Sequence, residues 1–335
     1  MAFRTPPLLE PYLGLPHETS LVLLSGVLGS STNWLVHRYL YSLLASQPSS
    51  SSSSSSPSHS LSRHDEELGE EGTDHAGRQQ HISIIFVSFL RDYAFWKDGA
   101  RRLGVDLDVA GKRGSFVFVD GLTGLFMSSP EPGRRPSVTD TSGRRVLRAA
   151  TTDHLGRTLE DVVTHVQFLT PGTQTVLVID QPDVLLAAAG DTMSSRSLRD
   201  TILGLREKVH ACIITVSADE PLIAAQSSPL EKEHASLALS LAHDAQLVMS
   251  LRLLETGTAK DVSGVLRVTP GGDEGTAGTP VEDRELLYFI GGDGSVRVFE
   301  RGQYDPKPQL GNARDSPAER TCTFIVGNRR FFARS

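Results

Sequence analysis

The sequence predicts an α/β protein with a mainly parallel sheet flanked by helices and extended at its C-terminal end by antiparallel strands. Three observations lead there. Short, nearly continuous apolar runs alternate with segments of helical periodicity, as strands covered on both faces require. The stretch Leu21-Val-Leu-Leu-Ser-Gly-Val-Leu-Gly-Ser-Ser-Thr-Asn-Trp34 reads as a buried strand, a Gly/Ser turn and the start of a helix. From Asp244 onward, strand-like segments follow one another without intervening helices.

Residues 1–20 are rich in proline (Pro6, Pro7, Pro11, Pro16) and read as an extended lead-in. After the first strand, Val36, Tyr39, Leu40, Leu43 and Leu44 recur at helical spacing, and Pro48 ends the pattern. Residues 47–80 carry an unbroken serine run from Ser49 to Ser56 and cannot bury enough apolar surface to offset the entropy of ordering. They read as a disordered insertion. His81-Ile-Ser-Ile-Ile-Phe-Val-Ser-Phe-Leu90 is a central strand, followed by a helix with Tyr93, Trp96, Ala100 and Leu103 on one face and Gly104 as its stop. Gly111-Lys-Arg-Gly-Ser115 precedes the next strand, Phe116-Val-Phe-Val-Asp120, and reads as a turn.

Residues 128–150 form a second polar insertion, expected to be disordered. It is the clearest basic segment, with Arg134, Arg135, Arg144, Arg145 and Arg148 against Glu131 and Asp140. Such a segment can contact RNA phosphates or lie as a solvated loop. Leu159, Val162, Val163, Val166 and Leu169 define an amphipathic helix leading into Thr175-Val-Leu-Val-Ile-Asp180. Leu198, Ile202, Leu205 and Val209 mark another helix before the strand Ala211-Cys-Ile-Ile-Thr-Val-Ser217. Ser228-Pro-Leu-Glu is a helix start with a cap, a first-turn proline and an acid near the positive pole. On that helix His234 reads as a packing residue, since no Cys or His stands at metal spacing around it. The final strands span about 245–254, 262–268, 286–290 and 295–300, with Gly291-Gly-Asp-Gly294 as a hairpin turn. The tail, 302–335, reads as flexible and basic with one candidate strand at 323–326. The expected organisation is therefore a single domain over 21–301.

Bulk properties narrow the function. A net charge of −7 argues against a wholly basic nucleic-acid binder. Two cysteines far apart, Cys212 and Cys322, suit a reducing compartment. No signal peptide is visible, and residues 21–28 are too short to span a membrane. The expectation is a soluble intracellular protein, without membrane contact.

The glycine turn after the first strand stands where a P-loop ATPase binds phosphate. A working loop, G-x-x-x-x-G-K-[ST], wraps phosphate in backbone N–H groups, neutralises it with Lys and holds Mg²⁺ with a hydroxyl. With Gly26 as the first glycine, the second falls on Ser31, the lysine on Thr32 and the hydroxyl residue on Asn33. No lysine occurs before Lys97. The loop residues Gly26, Gly29, Ser30, Ser31 and Thr32 thus read as a degenerate phosphate site or as a plain strand–turn–helix junction capped by Ser31 or Thr32. Asp180 ends a Walker-B-like strand. It reads as a residual Mg²⁺ ligand or, more simply, as the buried end of a strand. No catalytic residue, metal site or cofactor is expected.

Together these features resemble the RecA-like ATPase core. Within that group the chain resembles the sixth-subunit family of the Elongator complex, in a fungal-type form. The resemblance rests on the lysine-free loop from Gly26 to Asn33, on residues 86–103 with Asp92-Tyr-Ala-Phe-Trp96, and on Phe118-Val-Asp-Gly-Leu122. Residues 175–183 and 287–299 complete it. It covers about 12–301 without the two insertions. It implies a non-catalytic subunit in a six-membered ring with two other RecA-like subunits, docked on the catalytic Elongator subunits and binding tRNA. It further implies support of carboxymethyl-type modification of the wobble uridine. The competing reading is an active recombinase-type NTPase that draws its cation from Lys97, Lys112 or a neighbouring subunit. A small-molecule hydrolase is disfavoured, because G-x-S-x-G and H-E-x-x-H are absent.

Overall fold

The computed structural model describes residues 5–45, 81–126, 144–254, 259, 261–272 and 281–301. In chain order, a 3₁₀ turn (Pro7–Leu9) and α1 (Glu10–Leu13) precede β1 (Ser20–Gly26) and α2 (Asn33–Ala45). Then come β2 (Ile82–Ser88), α3 (Tyr93–Arg102), α4 (Leu107–Lys112), β3 (Phe116–Asp120), α5 (Thr123–Phe126) and β4 (Arg144–Val146). α6 (Thr152–Leu169), β5 (Gln174–Asp180), α7 (Val184–Ala189), α8 (Ser195–Arg206), β6 (Ala211–Ser217) and α9 (Pro229–Asp244) follow. The chain continues with β7 (Leu247–Arg252), β8 (Gly264–Pro270), β9 (Arg284–Ile290) and β10 (Val296–Glu300).

All ten strands form one sheet, ordered β10-β9-β8-β7-β1-β6-β5-β2-β3-β4. Strands β1 to β7 pair in parallel, and β7-β8, β8-β9 and β9-β10 pair antiparallel. The expected architecture is borne out, with one refinement. β7 opens the C-terminal run but lies parallel to β1, because α9 makes the crossover that a parallel strand requires.

The strand pleat splits the core in two. Val22, Leu24, Ile84 and Phe86 face one side with α2, α3 and α4, whereas Leu21, Leu23, Ile85 and Val87 face the other with α6, α8 and α9. Each fully buried aliphatic side chain contributes roughly 2 kcal/mol.

Three expectations are corrected. The lead-in is not extended: Leu9 and Leu13 are buried on a helical turn. Pro7 and Pro11 occupy first-turn positions, where the missing N–H costs nothing. The order of the second insertion resumes at Arg144, because Arg144–Val146 pairs in parallel with Phe118–Asp120 at the sheet edge and anchors buried Leu147. Gly111 and Lys112 end α4, whose start Asp106 caps by accepting the N–H groups of Asp108 and Val109, and the turn follows at Gly114 with φ +75°. The serine run, Arg134, Arg135 and residues 302–335 lie outside the described residues.

Candidate functional site

β1 is central, and its C-terminal end opens at the edge where α/β sheets bind ligands. The loop after it is held from both sides. The Gly26 carbonyl accepts Ala218 N–H at 2.8 Å, and Val27 N–H reaches the Leu251 carbonyl at 3.3 Å. Gly26 is required, since a Cβ there would lie 2.6 Å from the Ser30 carbonyl oxygen. Gly29 has φ +86° and rests on the Leu253 side chain.

The loop amides are largely spent on the protein itself. Leu28 N–H donates to Asp219 Oδ1 at 2.6 Å, Ser30 N–H to the Val27 carbonyl at 2.8 Å, and Asn33 N–H to Ser31 Oγ at 3.2 Å. The Ser30 hydroxyl is buried and hydrogen-bonds the Tyr288 hydroxyl at 2.8 Å. Thr32 is buried too, and its carbonyl accepts the first helical N–H groups, from Leu35 and Val36. Ser31 Oγ therefore holds the first helical N–H, and the Thr32 carbonyl opens the helical ladder. The loop thus carries a carboxylate of its own chain on the Leu28 amide.

Asp180 ends β5, one strand away from β1 across β6. It is 1% exposed, and both oxygens are committed: Oδ2 accepts Ser88 Oγ–H at 2.8 Å and Oδ1 accepts Thr215 Oγ–H at 2.9 Å. Ser88 Oγ also accepts Trp96 Nε1–H at 3.1 Å, which ties the aspartate to α3. Burial pushes the Asp180 carboxyl up to about 6, against the two hydroxyl donors that lower it. Beside it, buried Asp183 accepts Ser217 N–H at 3.3 Å, and its carboxyl is also raised by burial. His234 donates Nε2–H to the Ser217 carbonyl at 2.8 Å and sets Nδ1 3.8 Å from Asp183 Oδ2. The packing histidine thus also pins the end of β6. Gln181, at φ +55°, completes the seam by accepting the Ser217 hydroxyl at 2.8 Å. Among the described residues, no group of three or more His, Cys, Asp or Glu side chains is placed to hold a metal ion.

Cations are scarce here. Lys97 is held by Asp108 at 2.6 Å. Arg144 stacks over the Tyr93 ring at 3.8 Å and lies 3.5 Å from Asp108, so this arginine of the basic segment is engaged with the core. Arg148 is exposed and Arg145 half-buried. Asp219 and Tyr288 escaped the sequence reading. Asp219 stands two residues after the β6 run, the one signal that could have marked it.

The sheet and its site define a mainly parallel α/β protein whose loop after β1 is tied down by its own side chains. The Elongation complex protein 6 family model matches residues 79–289, and the chain belongs to that family. It is 24% identical over 294 residues to the Schizosaccharomyces pombe Elongator complex protein 6 homolog, covering 86% of this chain and 94% of the relative. It is 26% identical over 201 residues to Homo sapiens Elongator complex protein 6, covering 56% and 68%. Among solved structures, a KaiC-like protein from Pyrococcus horikoshii aligns with TM-score 0.49 and 16% identity over 89% of this chain and 98% of that one. No described helix is long and apolar enough to cross a membrane.

Proposed function

We propose that this chain is a non-catalytic, RecA-like subunit of the Elongator complex. In this reading it joins two other RecA-like subunits in a hetero-hexameric ring that docks on the catalytic subcomplex, in cytoplasm and nucleus. The ring binds tRNA and supports carboxymethyl-type modification of the wobble uridine. One observation carries the non-catalytic part: the Asp219 carboxylate sits on the Leu28 amide of a loop that has no lysine. Phosphate brought there meets like charge, with no lysine to offset it. The committed oxygens of Asp180 support the same conclusion. Family membership supports the assembly. For tRNA, the proposed contacts are Arg134, Arg135, Arg145 and Arg148, with Arg144 contributing least because of its ties to Asp108 and Tyr93.

Native mass determination tests the reading, with the chain alone and mixed with the two other candidate ring subunits. A discrete six-membered species confined to the mixture is the expected result. A monomer in both samples, or a ring of this chain alone with ATP turnover, would overturn it.

A further inference from the structure

Arg38 of α2 is 2% exposed, yet no carboxylate pairs with it among the described residues. Its Nη1 is buried without a hydrogen-bond partner, and Nη2 makes only a long bond, 3.4 Å, to the Gly294 carbonyl. One turn earlier on the same helical stripe, Trp34 Nε1 is also buried without an acceptor. The Trp34 ring packs on Tyr288 of β9 at 5.1 Å, so this stripe faces the β9–β10 hairpin. The acid nearest in that turn, Asp293, is spent on Ser295, whose N–H and Oγ–H it accepts at 2.9 and 2.6 Å. The Arg102 side chain lies over Gly294 and adds positive charge. A buried guanidinium without a counter-ion is costly, and its fork matches one carboxylate in two-point contact.

We infer that Arg38 is the receptor for a carboxylate side chain delivered by an acidic segment of a partner polypeptide. Nucleic acid fits less well. A phosphodiester backbone is tracked by a continuous basic groove, whereas the hairpin turn here offers a single fork beside an aromatic seam. A peptide has a route in: among the described residues β10 is the outermost strand of the sheet, so a chain adding to that edge runs beside the turn that Arg38 contacts. The inference deepens the assembly reading and rests on it only for the partner's identity.

The test compares wild type with Arg38→Met and Arg38→Lys. In the isolated chain, sodium acetate is set against sodium chloride at equal ionic strength. Acetate should raise the wild-type Tm by about 2 °C or more and leave both variants unmoved, since neither keeps the fork. Arg38→Met should melt no lower than wild type in chloride, because it removes an uncompensated charge. In the mixture with the candidate partner subunits, Arg38→Met should associate at least about tenfold more weakly. Equal acetate responses, a clearly lower Tm for Arg38→Met in chloride, or unchanged association would each overturn the inference. Should the wild-type mixture fail to associate, the ring reading falls, and the acetate comparison alone decides for or against Arg38 as a carboxylate receptor.

Discussion

The carboxylate of Asp219 accepts the backbone N–H of Leu28 at 2.6 Å, bridging the end of β6 to the loop after β1. The loop after β1 is thereby tied to the neighbouring strand end of its own chain. Replacing Asp219 with Ala should cost about 1 kcal/mol, the scale of a partly exposed charge-assisted hydrogen bond. It should not create ATP turnover, because the lysine is still missing. Chemical denaturation and a phosphate-release assay check the two halves, and turnover above background would contradict the closed-loop account.

Asp180 carries a pH signature. Burial raises its carboxyl from 3.8 to about 6, so the folded state holds a proton that the unfolded chain has already released. The associated stability is fully present below about pH 4 and disappears as pH rises through about 6. Asp180→Asn cannot titrate. The wild-type-minus-variant stability should therefore fall by on the order of 2–3 kcal/mol between pH 4 and pH 7. Urea melts at several pH values measure that difference, and a flat one would show that the carboxylate is well solvated.

Arg144 and its neighbours should separate. Arg144→Ala removes a stack on Tyr93 and a half-exposed pairing with Asp108, whose carboxyl is held down at about 2, chiefly by Lys97 and then by the Tyr93 hydroxyl. The expected stability loss is below about 1 kcal/mol and shrinks in high salt. Arg145→Ala and Arg148→Ala should leave stability unchanged and reduce tRNA affinity of the assembled ring more than Arg144→Ala does. A salt series on each variant checks the order.

Gly99 gives a sign reversal. Gly-to-Ala inside a helix ordinarily stabilises by up to about 1 kcal/mol. In α3 a Cβ at position 99 would stand 2.0 Å from His37 Nε2, inside the packed contact between α2 and α3. Gly99→Ala should destabilise by about 1–3 kcal/mol. A Tm equal to or above that of wild type would place His37 elsewhere.

Much of this protein was legible in one dimension. The apolar runs gave the buried strands, because a strand covered on both faces has few polar positions to spare. The turn Gly291–Gly294 was readable because it needs positive φ, and Gly294 adopts +80°. The missing lysine was readable as well, since residue identity is local information.

Other features were hidden by chain distance or by ambiguous composition. Prolines at 7 and 11 look extended in sequence, yet they fit the first turn of a helix once Leu9 and Leu13 find the core. The three residues of β4 are too short and too charged to signal a strand alone, and become one because β3 offers an open edge.

The sequence by itself determined the α/β class, the succession of its main strands along the chain and the absence of a lysine in the first loop. These follow from local composition and periodicity. Only the tertiary structure decided that Asp219, 191 residues from Leu28, reaches the loop, that Asp180 spends both oxygens on Ser88 and Thr215, and that Arg38 has no carboxylate partner among the described residues. Each depends on which strand ends meet across the sheet, a long-range pairing that no local pattern encodes.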